Sequence, residues 1–404
     1  MKTIFALLIL ANAAPAFAQG QDLQTDLYGN CGNLVNVSLY GKDNREEYCA
    51  KDVMIRDLAD SVAGFFTDGS SVTLTRLPYV YDRTTLGSSQ GLAAGQRFAD
   101  QPAAAFCTGF LVGPDLIATA GHCVKDHPSW ETDAPKDHAA ACQQNLRQGD
   151  FCENIRVIFG FRKEIGGQLR RSAPSEDVYK CVGVVSHSLS GGPDYALIKL
   201  DRAVRGRRPL AVNRGNAGLG QRTPLFVIGH PSGIPLKIAA DAVVISSGVD
   251  VYVHRNGASR KWVDNGYSFL TNLDTFHGNS GSPVFNMNTL LVEGILVKGD
   301  NDYVPHPDGG MQDAAYPQET GGSEMGKGVG EVCTKISVPA ANIPVNDRER
   351  AMLELNRKSG NRLYPVMMEL LERRLLEQRR SQPQIMPIPN YVPPAQEKPD
   401  VQWI

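Results

Sequence analysis

Between residues 106 and 337 the chain repeats one pattern: short apolar runs rich in β-branched and aromatic residues, separated by Gly, Pro, Asn and Asp. Such runs fall at 110–112, 116–120, 155–161, 195–200, 225–228, 283–285 and 290–297. Runs this short, bounded by turn formers, predict strands, and many in succession predict an all-β barrel or sandwich. On either side the pattern changes. Residues 19–99 are mixed, with a helix-like periodicity over 52–66 and a Gly/Ser-rich stretch over 84–95, and read as an N-terminal extension. Beyond the strand-rich zone, Asn346 or Asp347 is placed to cap a helix that ends at Gly360. Met367, Leu370, Leu371 and Leu375 then share one face of a second helix, whose Arg373, Arg374, Arg379 and Arg380 read as a solvated face. Residues 382–404 are Pro-rich and predict an extended tail.

The first eighteen residues bear on the compartment. Lys2, the apolar run over 4–10 and the small-residue site Ala16-Phe17-Ala18 predict a secretory signal peptide over 1–18, with the exported chain starting at Gln19. The expected location is therefore secreted or periplasmic. No later apolar stretch approaches the roughly 20 residues a spanning helix needs, so no stable membrane insertion is expected. Lys plus Arg number 41 against 43 Asp plus Glu, a balance without the electrostatic footprint of a nucleic-acid partner.

All eight cysteines (Cys31, Cys49, Cys107, Cys123, Cys142, Cys152, Cys181 and Cys333) lie in the exported part, where an even count reads as disulfides. Neither C-x-x-C nor H-E-x-x-H occurs, which argues against zinc. Asp300-Asn301-Asp302 is too short a pattern for a calcium loop, and residues 326–330 lack the spacing of a dinucleotide-binding turn. No metal and no cofactor are expected.

Three motifs carry the chemistry: Ala118-Thr119-Ala120-Gly121-His122-Cys123; Asp194 at the head of the apolar run 195–200; and Gly278-Asn279-Ser280-Gly281-Ser282-Pro283. In this order they resemble the trypsin-like, chymotrypsin-fold serine peptidases. The resemblance implies two six-stranded antiparallel β-barrels with the active site between them, His122 and Asp194 on the first barrel and Ser280 on the second. The residue chemistry agrees. A serine hydroxyl is a poor nucleophile near neutral pH and needs an adjacent base. His122 would take its proton and return it to the leaving amine, while Asp194 would fix the His122 tautomer and stabilise the imidazolium. Gly278 and Ser280 are the candidate backbone donors for the oxyanion, each worth about 2.7–4 kcal/mol in the transition state. The rival reading, an α/β-hydrolase elbow G-x-S-x-G, fails because Ser282 stands at its last glycine and alternating long helices are missing from the pattern.

The resemblance spans residues 106–344 and also implies a disulfide between Cys107 and Cys123. The remaining six cysteines allow 15 pairings. Proximity in sequence suggests Cys31 with Cys49 and Cys142 with Cys152, leaving Cys181 for Cys333. Within the family the chain is similar to the bacterial glutamyl-endopeptidase branch, through Tyr40-Gly41-Lys42-Asp43-Asn44-Arg45 and the run 280–286. Asn279 stands where many members carry an Asp that pairs with a freshly cut N-terminus, so that mode of zymogen activation is not expected. Residues 19–99 are either a propeptide or a permanent extension, with the peptidase domain over 100–345 (barrels about 100–205 and 206–345) and C-terminal helices and tail over 346–404.

By the same resemblance Asp274, six residues before the nucleophile, floors the primary specificity pocket and would select Arg or Lys. Leu296 stands on the pocket-wall strand where the glutamyl endopeptidases carry a His. Lys298 complicates the choice, because its ammonium could neutralise Asp274 or receive an acidic side chain. The expected function is a serine endopeptidase acting on proteins or peptides through an acyl-enzyme, cleaving after Arg or Lys. Acidic or broad specificity, and a catalytically silent protease-like binding protein, are the alternatives. Residues 346–404 could recruit a partner.

Overall fold

The computed structural model describes residues 40–67, 72–73, 79–81, 84–124, 155–189, 192–215, 219–253, 260–317 and 328–360. The signal-peptide reading, the Pro-rich tail, the second C-terminal helix and Cys31, Cys142 and Cys152 lie outside these residues.

Thirteen strands build the two barrels. They are β1 (Arg45–Glu47), β2 (Val62–Thr67), β3 (Cys107–Gly113), β4 (Leu116–Thr119), β5 (Ile155–Phe159), β6 (Val178–Ser188) and β7 (Tyr195–Leu200), then β8 (Pro224–Gly229), β9 (Lys237–Val253), β10 (Arg260–Thr271), β11 (Pro283–Asn286), β12 (Val292–Lys298) and β13 (Glu331–Lys335). The first barrel closes in the order β7-β4-β3-β2-β5-β6. In the second, β9-β8-β11-β12-β13-β10 closes through the β9–β10 pairing, and β1 adds itself to β9. This is the chymotrypsin-like double barrel that the motifs implied.

One cluster of buried side chains runs from Phe65, Phe110, Ile117 and Leu197 of the first barrel to Phe226, Phe285 and Ile295 of the second. A second cluster, with Leu225, Val227, Phe269, Val284, Leu296 and Cys333, fills the rest of the second barrel. The shared cluster gives the two barrels a common apolar core.

The helical reading of 52–66 holds only for its first half. Asp52 caps a helix over Val53–Ala59 by accepting from the amides of Met54 and Ile55. The chain then turns at Asp60 and Ser61, and Val62–Thr67 becomes a strand hydrogen-bonded to β3 and β5. Ile55, Leu58, Val62 and Phe66 mimic a helical stripe, but the unbroken buried run over 62–66 fits a strand covered on both faces. The first barrel therefore takes a strand from the stretch read as an extension. The first C-terminal helix forms as expected over Asp347–Ser359, with Asn346 Oδ1 accepting from the Glu349 amide and Gly360 left-handed at its end. It is fastened to the body: Glu349 pairs with Arg214, and the Asn346 side chain donates to the Leu210 carbonyl.

The pairing of Cys181 with Cys333 does not occur. Cys333 is a free thiol facing the second-barrel core opposite Leu296 and Phe269, whereas Cys181 lies on β6 of the first barrel and is disulfide-bonded elsewhere. Cys49 is likewise disulfide-bonded, to a partner outside the described residues.

Candidate active site

His122 sits in a single turn, Gly121–Val124, that follows β4, and Asp194 immediately precedes β7, the strand paired with β4. That pairing brings residues far apart in sequence together. His122 Nδ1 lies 2.7 Å from Asp194 Oδ2, and Asp194 Oδ1 accepts the backbone amides of Gly121 at 2.6 Å and His122 at 3.2 Å. The carboxylate thus holds both the ring and the turn that carries it. The Asp194 carbonyl accepts from Thr334 Oγ1 at 2.9 Å, which fastens this corner of the first barrel to β13 of the second. Cys107 and Cys123 form a disulfide that ties β3 to the histidine turn. Their sulfurs lie near the His122 ring, but bonded to each other they offer no thiolate to a metal.

Ser280 lies on the loop between β10 and β11. The loop depends on two glycines. Gly278 has φ +83°, and a Cβ there would stand 2.6 Å from the His230 carbonyl oxygen and 2.7 Å from the Gly233 nitrogen. Gly281, at φ +89°, presses directly on the Thr108 carbonyl, the Thr119 hydroxyl and the Ala120 amide, leaving no room for a side chain. The contact of Gly281 with residues 119 and 120 brings the serine loop against the turn that bears His122. Within the loop, Ser282 N donates to Asn279 O and Gly281 N to Leu296 O. Among the described residues neither the Gly278 nor the Ser280 amide donates to a protein acceptor, so both remain available at the loop. No hydrogen bond joins Ser280 to the His122 ring among the described residues, and such contacts commonly tighten only when substrate binds.

Thr108, which sequence reasoning passed over, is the hub of the loop. Its amide donates to Ser280 O at 2.8 Å and its hydroxyl donates to Gly278 O at 2.8 Å. The same hydroxyl accepts from His230 N at 3.1 Å, and the Thr108 carbonyl accepts from Thr119 Oγ1 at 2.7 Å. One fully buried residue therefore connects the histidine strand, the serine loop and the end of β8. The only signal in the sequence is a threonine following Cys107.

The three expected specificity residues fall in three different environments. Asp274 is 3% exposed, and both its oxygens are occupied: Oδ1 accepts from Tyr40 N at 3.0 Å and Oδ2 from Asn44 N at 2.8 Å. Burial raises its pKa from 3.8 to about 7, against the opposing effect of those two amides. Its carboxyl is directed at the N-terminal segment instead of standing open at a pocket floor. Leu296 points into the second-barrel core, and its backbone, not its side chain, serves the serine loop. Lys298, the last residue of β12, is exposed although it stands two positions after the buried Leu296, because the β12–β13 register shifts between these two residues.

The segment that engages Asp274 is the motif 40–45. Arg45 is buried between Asp43 and Asp313, with its guanidinium 4.1 Å from the centre of the Phe276 ring in the serine loop. Its pKa is raised, desolvation being overcome by the two carboxylates. The motif therefore braces the approach to Ser280 from behind.

Residues 107–295 match the family described as the trypsin-like peptidase domain. No curated protein matches the chain. Among solved structures, the Vibrio cholerae VesB protease is similar at 16% identity and TM-score 0.38, over 70% of this chain and 63% of that one. The chain thus spans less than two thirds of VesB. A Glu endopeptidase complexed with MPD is similar at 16% identity and TM-score 0.36, over 76% of this chain and 96% of that one. The active form of the M. tuberculosis Rv3671c protease is similar at 13% identity and TM-score 0.38, over 85% and 96%. The family match includes the histidine turn, Asp194 and the serine loop and agrees with the double barrel: this chain carries a trypsin-like peptidase domain.

Proposed function

We propose that this protein is an exported serine endopeptidase that cleaves peptide bonds through an acyl-enzyme on Ser280. The observation that carries the reading is the His122–Asp194 pair, held by three hydrogen bonds, against a loop whose Gly278 and Ser280 amides have no protein acceptor among the described residues. His122 Nε2 takes the proton from Ser280 Oγ as that oxygen attacks the substrate carbonyl. Asp194 keeps the Nδ1 proton in place and stabilises the imidazolium. The two amides receive the oxyanion, and the imidazolium then protonates the leaving amine. Water, deprotonated by the same imidazole, hydrolyses the acyl-enzyme and restores the serine.

The folded peptidase unit runs from residue 40 to 360, because β1 and β2 belong to the barrels and the helix Asp347–Ser359 is fastened to them. Any propeptide is therefore confined to residues before 40, and partner recruitment is assigned to residues 361–404. No helix among the described residues is long and apolar enough to cross a membrane. The preferred bond follows Arg or Lys. Hydrolysis of a mixed peptide library by the exported chain, beside Ser280→Ala and His122→Ala, tests the reading. Cleavage lost in both variants supports it, and cleavage surviving in either refutes the assigned machinery.

A further inference from the structure

Glu331 opens β13 opposite Thr271 of β10, and the residue is 5% exposed. Thr275 Oγ1, five residues ahead of Ser280, donates to Oε2; Asp300 N, just beyond β12, donates to Oε1 at 3.4 Å, and Tyr40 Oη approaches the same oxygen at 3.5 Å. Gly299, half-buried at the surface, lies directly over the group, and any Cβ there would strike both carboxyl oxygens. Glu331 therefore stands where the chain entering the serine loop and the chain leaving β12 converge, one glycine beneath the surface.

Its partners are all neutral. No Lys, Arg or His touches it among the described residues, and the charged neighbours that act on it, Asp302 and Asp300, are acidic. Desolvation and these neighbours hold its pKa well above the usual carboxylate range. Asp274 differs, with an amide on each oxygen; Asp43 and Asp313 already hold Arg45. A buried carboxyl without a counter-ion is costly when ionised, and an arriving cation relieves that cost.

We propose that Glu331, not Asp274, receives the substrate side chain on the acyl side of the scissile bond, and that this side chain is cationic, Arg or Lys. The inference deepens the peptidase reading and rests on it. When the cation enters, the carboxyl ionises and pairs with it, Thr275 Oγ1 and Asp300 N hold the carboxylate, and the bare Gly299 leaves the way open. Asp274 instead latches residues 40–44 behind the pocket and makes no contact with substrate.

Two measurements test this. The first compares kcat/KM for peptide substrates that differ only in Arg, Lys, Leu or Glu before the cleaved bond, in wild type and Glu331→Gln. Wild type should prefer Arg and Lys, and the variant should lose about 100-fold or more on these two while staying within about threefold on Leu. A wild-type preference for Leu or Glu, or an unchanged Arg-to-Leu ratio in the variant, overturns the proposal. The second needs neither chemistry nor a stable Glu331 variant: p-aminobenzamidine should bind Ser280→Ala saturably and be displaced by a peptide ending in Arg. Absence of binding, in a protein whose wild type labels with a fluorophosphonate, defeats the pocket assignment and leaves the peptidase reading standing. Binding without any labelling of the wild type defeats the peptidase reading and leaves the cation pocket.

Discussion

Replacing Thr108 with Val removes one hydroxyl of almost unchanged volume and isolates what that hydroxyl does. Its loss strips the Gly278 carbonyl of a 2.8 Å donor and the His230 amide of a 3.1 Å acceptor, at a residue with 0% exposure. Each buried polar group left unpaired costs about 1–3 kcal/mol, so the pair should lower unfolding stability by about 2–6 kcal/mol. The bond from Thr108 N to Ser280 O survives, and with it the general position of the loop. What loosens is the turn at Gly278, one side of the proposed oxyanion site. Turnover should therefore fall, by up to about 100-fold if that donor is effectively lost, with KM little changed. The assay is urea unfolding beside steady-state kinetics on a fixed peptide, with Thr108→Ser as control. Serine restores the hydroxyl and should recover most of kcat. A Thr108→Val protein within about 0.5 kcal/mol of wild type, with wild-type kcat, would refute the reasoning.

Three further outcomes follow from the same geometry. In Asp194→Asn, one oxygen remains to accept the Gly121 and His122 amides, so the amide nitrogen turns to His122 Nδ1 and drives the imidazole to the tautomer that cannot act as base. The protein should fold and lose about 10⁴ in kcat, and a loss confined to KM would contradict it. Glu349→Ala leaves Arg214, 28% exposed, without its carboxylate and should cost about 1–3 kcal/mol, seen as a lower Tm and faster hydrogen exchange over 347–359. Asp274 is an acid whose folded pKa, about 7, lies above its ordinary 3.8, so folded protein holds the proton longer than unfolded chain. Its contribution to stability is greatest below about pH 4 and falls as pH rises through 7, by up to about 4 kcal/mol at 1.4 kcal/mol per pH unit. The decline should flatten in Asp274→Asn, and an identical pH profile in the two proteins would contradict the buried, ionisable latch.

The sequence was readable where chemistry limits the choice of residue. His122, Asp194 and the glycines around Ser280 occur in fixed patterns because a tight turn, a shared carboxylate and a close backbone approach tolerate few alternatives. The barrel strands were readable where both faces are buried, as in 110–112 and 195–200. The long strands Lys237–Val253 and Arg260–Thr271 were not, because polar residues such as Asp241, Ser246, Ser247 and Asp250 interrupt their apolar pattern. Position relative to Ser280 gave Asp274 a pocket role, but a carboxyl's partner depends on which segment folds onto it, and here residues 40–44 arrive from more than two hundred positions away. Glu331 and Thr108 were silent for the same reason, since their contacts form only when distant strands meet. Cys333 has no signal in the sequence to set it apart from the paired cysteines; only the course of β13 turns it into the second barrel, away from β6.

The central claim is that Ser280 is the nucleophile. A fluorophosphonate should add once to the exported wild-type chain, and digestion with mass spectrometry should place the adduct on the peptide containing Ser280. Ser280→Ala, folded to the same Tm, should take up none. An adduct on another residue, or equal labelling of the variant, would contradict the account.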